Sequence, residues 1–322
     1  MIEKLNVFLT GGSGFIGKFL IDELVKRNYF VFVLSRKENS AKNESVNYVR
    51  GDIQTIEKHI ELLKKCSFFI HAAGEKRDET NMQSTNVDAL GKILLSIKQI
   101  PSIKFIQISS SGIYGIEHHP DTIITEDSAI LPNNTYERTK YEAEKLIISA
   151  LSDKKFLILR PSNIFGEGDE GFKLLNLMKA VKTGKFFFVN KNAKVNYLYA
   201  GTFARDTVTL MEQNFLNSEI FNMNGSMKIT RFIEIILSAM SLQKPPALLP
   251  KFLRPFLYLA CKIGDFLPKK YQFVNSGKYR ELTTEKYYSV EKLKSAIHTQ
   301  PELDLEQGIR NIVLFYSNRK LL

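Results

Sequence analysis

The chain has 322 residues, 44% of them hydrophobic and 25% charged, which suits one large core or two domains sharing an interface and excludes a disordered or collagenous chain. Cys66 and Cys261 lie far apart in sequence, which excludes a disulfide framework and a cysteine metal site and fits a reducing compartment. The net charge of +11 could serve nucleic acid, an anionic membrane surface or an anionic substrate; its lysines are scattered over solvated helix faces, a pattern that favours a phosphate-bearing small molecule over nucleic acid as the partner.

The first strand is Val7–Leu9, and Thr10-Gly11-Gly12-Ser13-Gly14-Phe15-Ile16-Gly17 follows it. Glycines at this spacing let the backbone turn tightly and approach a pyrophosphate. The helix Phe15–Arg27 then offers that anion its free N–H groups and positive dipole end. A second strand, Phe30–Leu34, runs into Ser35-Arg36-Lys37. NAD-binding folds usually place an acid there for the ribose hydroxyls. Here Ser35 takes the position, and the cation pair Arg36 and Lys37 suits the 2′-phosphate of NADP. A solvated basic turn is the plainer alternative.

Strand Val46–Val49 leads to Gly51-Asp52-Ile53, where Asp52 can accept from the adenine amine or cap the helix Ile56–Lys65. Strand Phe68–Ile70 leads to His71-Ala72-Ala73-Gly74, small residues that leave room for a cofactor crossing the sheet; His71 reads as a packed structural histidine. Helix Thr85–Ile100 and strand Phe105–Ile108 follow, then Ser109-Ser110-Ser111-Gly112-Ile113-Tyr114-Gly115. Helix Thr135–Leu151 carries Tyr136 and Lys140 one turn apart on one face. A phenol, with a pKa of about 10, is a poor base at neutral pH. An ammonium nearby favours the phenolate, and a serine hydroxyl from the strand end can hold the substrate oxygen beside it. Strand Phe156–Leu159 completes an alternation of buried strands and helices.

The fold class is therefore α/β: a Rossmann-type doubly wound parallel sheet with a smaller mixed α/β C-terminal substrate domain. Residues 1–165, with interleaved later segments, form the NAD(P)-binding part, and residues 166–322 are mainly substrate-binding. That second part carries only short strand candidates, Asn196–Ala200 and Ile220–Met223. The apolar segment from Pro245 to Lys270 reads as a helix pair packed on the core rather than a membrane-docking surface. No run of 18 apolar residues occurs, so no membrane span is expected. Residues 1–5 have no signal-peptide character, and a cytoplasmic location is expected.

With these motifs, together with Asn86-Val87 and Leu159-Arg160-Pro161-Ser162-Asn163-Ile164-Phe165-Gly166, the chain resembles the extended short-chain dehydrogenase/reductase family, the NAD-dependent epimerase/dehydratase group that modifies nucleotide sugars. The resemblance covers nearly the whole chain. It implies Ser110, Tyr136 and Lys140 as the catalytic set. The cofactor would lie against Gly11, Gly14, Phe15, Ile16, Gly17, Arg36, Lys37, Asp52, Ile53, Ala72, Ala73, Gly74 and Pro161. Asn163, with Lys76 and Ser111, would meet the substrate. NADP is favoured and NAD possible, no metal is implied, and a homodimer is suggested. Ser111-Gly112 replaces the acidic pair of dehydratases, and Val195-Asn196 replaces the usual Arg-Asp. What remains is a 4-keto reductase or C4 epimerase of a nucleotide sugar. A reductase of a hydrophobic ketone or alcohol, or a silent cofactor-binding scaffold, is the alternative.

Overall fold

The computed structural model describes residues 4–37, 43–116, 118–119, 122–169, 171, 173–213, 218–266 and 275–322. Seven strands form the main sheet. In chain order the strands labelled here are β1 (Asn6–Thr10), β2 (Phe30–Ser35), β3 (Val46–Arg50), β4 (Phe68–His71), β5 (Lys104–Ile108), β6 (Phe156–Pro161), β7 (Asn163–Phe165), β8 (Lys194–Tyr199), β9 (Glu219–Met223) and β10 (Gly225–Lys228). The main sheet runs β9-β6-β5-β4-β1-β2-β3, and every neighbouring pair is parallel. The runs Val7–Leu9 and Phe68–Ile70 are wholly buried, as parallel strands covered on both faces must be.

The helices labelled here are α1 (Phe15–Lys26), α2 (Ala89–Lys98), α3 (Thr135–Ala150), α4 (Ala200–Glu212), α5 (Ile229–Ala239), α6 (Arg254–Gly264), α7 (Ser276–Glu281) and α8 (Pro301–Asn318). Leu20 and Leu24 of α1 and Phe203 and Val208 of α4 share a core with Val7, Leu9 and Ile70 on one face of the sheet. On the other face Ile93 and Ile97 of α2 and Ala143 and Ile147 of α3 close over Phe8, Phe69 and Phe105. A third core joins Ile233 and Ile236 of α5 to Ile309 and Ile312 of α8. It lies by a small sheet in which β8 pairs parallel with β7 and antiparallel with β10.

Three expectations change. Ile56–Lys65 is a 3₁₀ segment, Ile53–His59, followed by one α turn, because Thr55 at φ −128° breaks the helical path. The helix expected from Thr85 begins at Glu79, where Asp78 caps it, and passes through a π-helical turn, Ser84–Asp88. Of the Pro245–Lys270 segment, residues 267–270 lie outside the described residues; its helix α6 packs against α7 rather than into one of the three cores, with Cys261 and Gly264 the buried residues of α6. No helix among the described residues is long and apolar enough to cross a membrane.

Candidate active site

Strand order reverses at β1, which has β2 on one side and β4 on the other, and this places a crevice at the carboxyl ends of β1 and β4. The glycine turn lies there. Gly11 has φ +76°, and a Cβ on it would sit 2.6 Å from backbone atoms of both Ala72 and Ala73. Gly17 packs so closely on the Gly11 carbonyl and the Gly12 backbone that no Cβ fits. Gly14 is the N-cap of α1, and neither a side-chain cap nor an acid occupies the first turn, where Phe15 and Ile16 lie half-buried. The first N–H groups of α1 thus keep their capacity for an anion.

Around this turn the other strand ends are closed by their own side chains. Ser35 Oγ donates to the Lys37 carbonyl at 2.8 Å and accepts the Lys37 N–H at 3.2 Å, while the Arg36 and Lys37 side chains are exposed. Asp52 Oδ1 accepts the Gln54 N–H at 2.9 Å, so one oxygen of Asp52 does cap the helix that starts at Ile53. Thr10 Oγ1 shares a 2.7 Å hydrogen bond with His71 Nδ1 and accepts the Ala73 N–H at 3.4 Å. Burial, helped by Lys140, pushes the His71 pKa down to about 3, so its imidazole is neutral and structural, as read from sequence.

The catalytic candidates come from β5 and α3. Asn134 caps α3 by accepting the Glu137 N–H at 2.9 Å, which fixes the first turn holding Tyr136. Ser110 lies just beyond β5; its Oγ accepts the Gly112 N–H at 3.0 Å and hydrogen-bonds the Tyr136 phenol. Lys140 is buried, and its Nζ donates to the Ile108 carbonyl at 2.9 Å, 6.0 Å from the Tyr136 ring centroid. A Cβ on Gly74 would come within 3.3 Å of that Nζ. Small residues after β4 thus give the lysine its room.

The electrostatics differ from the expected pattern. Burial raises the Tyr136 phenol above its ordinary value, and the Ser110 hydrogen bond only partly opposes this. The expected lowering by the ammonium is not seen: Lys140 Nζ is held on a carbonyl, and desolvation of the phenol dominates. Lys140 itself falls to about 8 because it is buried, with Glu144 one turn further along opposing the shift.

Residues that the sequence reading left without a role support this group. Asn86, on the π turn, accepts the Glu75 N–H at 2.8 Å and donates to the Glu75 carbonyl at 2.9 Å and to Thr139 Oγ1 at 3.0 Å. It ties the loop after β4 to the helix of Tyr136. Behind Lys140, buried Glu144 accepts from Arg160 Nη2 at 2.7 Å and from Ser109 Oγ at 2.5 Å. Arg160 also donates to Tyr114 Oη at 2.6 Å, and Tyr114 donates to Asn222 Oδ1 at 2.8 Å. Glu144 was findable, four residues after Lys140 on the same helix face. From the C-terminal part, Lys286 Nζ donates to the Gly115 carbonyl at 3.0 Å, and Tyr288 hydrogen-bonds the buried Ser111 hydroxyl. Nothing local marks Lys286 among the chain's 45 lysines and arginines.

The remaining candidates sit at the same end of the sheet. Pro161 ends β6, in register with Met223. The Ser162 hydroxyl beside it is buried with no hydrogen-bond partner. Asn163 is exposed and donates to the Asn196 carbonyl at 3.4 Å. Lys76 is exposed on a loop folded over the Glu75 carboxylate, which accepts three successive N–H groups and is thereby held below its ordinary pKa. Among the described residues no cluster of His, Cys, Asp or Glu could hold a metal. A cavity of about 350 Å³ lies at the opposite edge, lined by Leu5, Tyr29, Ser67 and Lys104; it has none of these groups and plays no part in the site. The Gly11 cradle, the uncapped α1 and the room at Gly74 fit a dinucleotide.

The profile of the NAD dependent epimerase/dehydratase family matches residues 7–224. A protein from Methanocaldococcus jannaschii named as a UDP-glucose 4-epimerase is 26% identical, over 97% of this chain and 98% of its own length. A sterol-4-alpha-carboxylate 3-dehydrogenase from Dictyostelium discoideum is 33% identical, over 51% of this chain and 55% of its own. The crystal structure of a UDP-glucuronic acid 4-epimerase from Bacillus cereus in complex with NAD superposes with a TM-score of 0.73 at 18% identity, covering 98% of this chain and 99% of that one, a likeness of fold. With a family profile spanning about two thirds of its length, the chain belongs to the NAD-dependent epimerase/dehydratase family of enzymes.

Proposed function

We propose that the protein is an oxidoreductase of a nucleotide-linked sugar, acting as a 4-keto reductase or a C4 epimerase, with NADP favoured over NAD. The observation that carries the reading is the grouping of Ser110, Tyr136 and Lys140 beside Gly74, at the carboxyl ends of β4 and β5. When bound, the nicotinamide gives or takes a hydride at the sugar carbon. In reduction Tyr136 gives its phenolic proton to the carbonyl oxygen, and in oxidation it takes that proton back. Ser110 donates a hydrogen bond to the same oxygen. Lys140, protonated below about pH 8, balances the phenolate that reduction leaves behind. Gly11, Gly14 and Gly17 would let the backbone approach the pyrophosphate. Arg36 and Lys37, exposed after β2, would pair with a 2′-phosphate. Asn163, Ser111 and Lys76 are proposed on the substrate side, and the working unit is proposed to be a cytoplasmic homodimer.

A second reading, reduction or oxidation of a hydrophobic ketone or alcohol, is favoured by the sterol dehydrogenase relative and by Val195-Asn196 in place of a diphosphate-gripping arginine. Two measurements separate these readings. Nucleotide released from purified protein, with NAD and NADPH titrated by fluorescence, distinguishes the epimerase (tight, copurified NAD) from the reductase (exchangeable NADPH). A panel of UDP- and dTDP-sugars against sterol-like ketones names the substrate class. Turnover on neither class leaves only a cofactor-binding scaffold and defeats both readings.

A further inference from the structure

The helix α6 and the turns on either side of it carry five large side chains at steps of three and four residues: Phe252, Phe256, Leu259, Ile263 and Phe266. That spacing puts them on one face. They are 72%, 69%, 59%, 58% and 90% exposed. The opposite edge is anchored, with Cys261 and Gly264 buried and the Tyr258 ring 5.3 Å from that of Tyr279 on α7. The stripe is thus the outward face of a helix packed on α7. A contiguous apolar stripe of this kind marks an interaction surface.

The charge around the stripe identifies the partner. Between Lys244 and Lys278 the sequence has seven lysines and arginines against one carboxylate, Asp265; two of them, Lys269 and Lys270, lie outside the described residues. The excess of cations is thus not spread evenly as the scattered lysines suggest: this tenth of the chain carries a net +6 of the +11. Asp265 is engaged, accepting from Ser276 N–H at 2.9 Å and from Ser276 Oγ at 2.5 Å. Lys251 and Lys262 flank the stripe and are exposed. A second copy of the chain would meet this patch with the same cations, since a two-fold contact sets like surface on like. Nucleic acid would match the charge but leave the phenyl rings in water. An anionic bilayer surface satisfies both, with headgroup phosphates at the lysines and rings in the acyl boundary. The helix has 11 residues, about half of what a span needs, so it lies in the interface plane. We infer that α6 seats the protein on an anionic lipid surface.

The chain contains no tryptophan, so Phe256→Trp supplies a single fluorophore in the stripe. The expected result is a blue shift and cosedimentation with phosphatidylcholine vesicles containing phosphatidylglycerol, and much less of both with phosphatidylcholine alone. Ile263→Glu in that background should abolish both, and the pair Lys251→Glu and Lys262→Glu should weaken partitioning at least about tenfold. Melting temperature and cofactor affinity, which the stripe does not touch, report folding; if Ile263→Glu fails to fold, the lysine pair carries the test. Absence of a shift with anionic vesicles overturns the inference. So does equal binding to both vesicle types, or light scattering that shows a dimer dissociated by Ile263→Glu.

Discussion

Two amphipathic helices of this protein turn opposite faces to its interior. α3 buries charge: Lys140 and Glu144 lie inside it, with Thr139, Ala143 and Ile147. α6 exposes its apolar side chains and buries little beyond Cys261 and Gly264. Helical periodicity locates a stripe but does not say which medium the stripe meets. A buried charge and an exposed phenyl ring each oppose the ordinary partition, and each marks a place where the helix does more than pack.

The largest effect is expected at Glu144. Removing its carboxylate (Glu144→Ala) leaves Arg160 buried and unpaired, and a chemical-denaturation curve should show a loss of about 3–5 kcal/mol. Replacing both partners, Glu144→Leu with Arg160→Met, should recover much of it; an unchanged midpoint for Glu144→Ala would mean the pair is solvated. His71 gives the next effect. Its folded pKa of about 3 lies below the 6.5 of the unfolded chain. Between those values only the unfolded chain binds the proton, so the contribution is complete above pH 6.5 and falls by about 1.4 kcal/mol per unit on acidification. The stability–pH profile of His71→Asn should be flatter than wild type by that slope between pH 6 and 4.

Much of the site's architecture is legible from the chain alone because its causes are local. The glycine turn, the Tyr136–Lys140 spacing and the strands from Val7 to Leu159 rest on residue type and short-range period. The rest depends on contacts distant in sequence. Ile220–Met223 reads as a short strand after residue 165, but nothing local says which sheet it joins; Glu219–Met223 pairs with Phe156–Pro161 as the seventh strand of the main sheet. Lys286 reaches the Gly115 carbonyl across 171 positions, which no local pattern announces. The Tyr136 phenol lies above its ordinary pKa rather than below it, because spacing reveals the neighbouring ammonium but not the burial that outweighs it.

Smaller effects sharpen the contrast. Arg36→Ala with Lys37→Ala should weaken NADPH binding by about tenfold in a fluorescence titration and leave NAD within about twofold, as expected for exposed phosphate-pairing cations. On α6, Ile263→Glu should leave the unfolding free energy within about 0.5 kcal/mol, the range of an ordinary surface change, whereas Ile147→Glu on α3 should prevent folding. A large loss at Ile263 would show that its face is covered within the monomer.

The central claim is that Tyr136 moves the proton while the glycine turn independently holds the cofactor. Tyr136→Phe, assayed on whichever ketone or sugar nucleotide the wild type turns over fastest, tests it with cofactor affinity measured in the same preparation. Turnover should fall about 10²- to 10⁴-fold, with the cofactor Kd within about twofold of wild type. Undiminished turnover in that variant would contradict it.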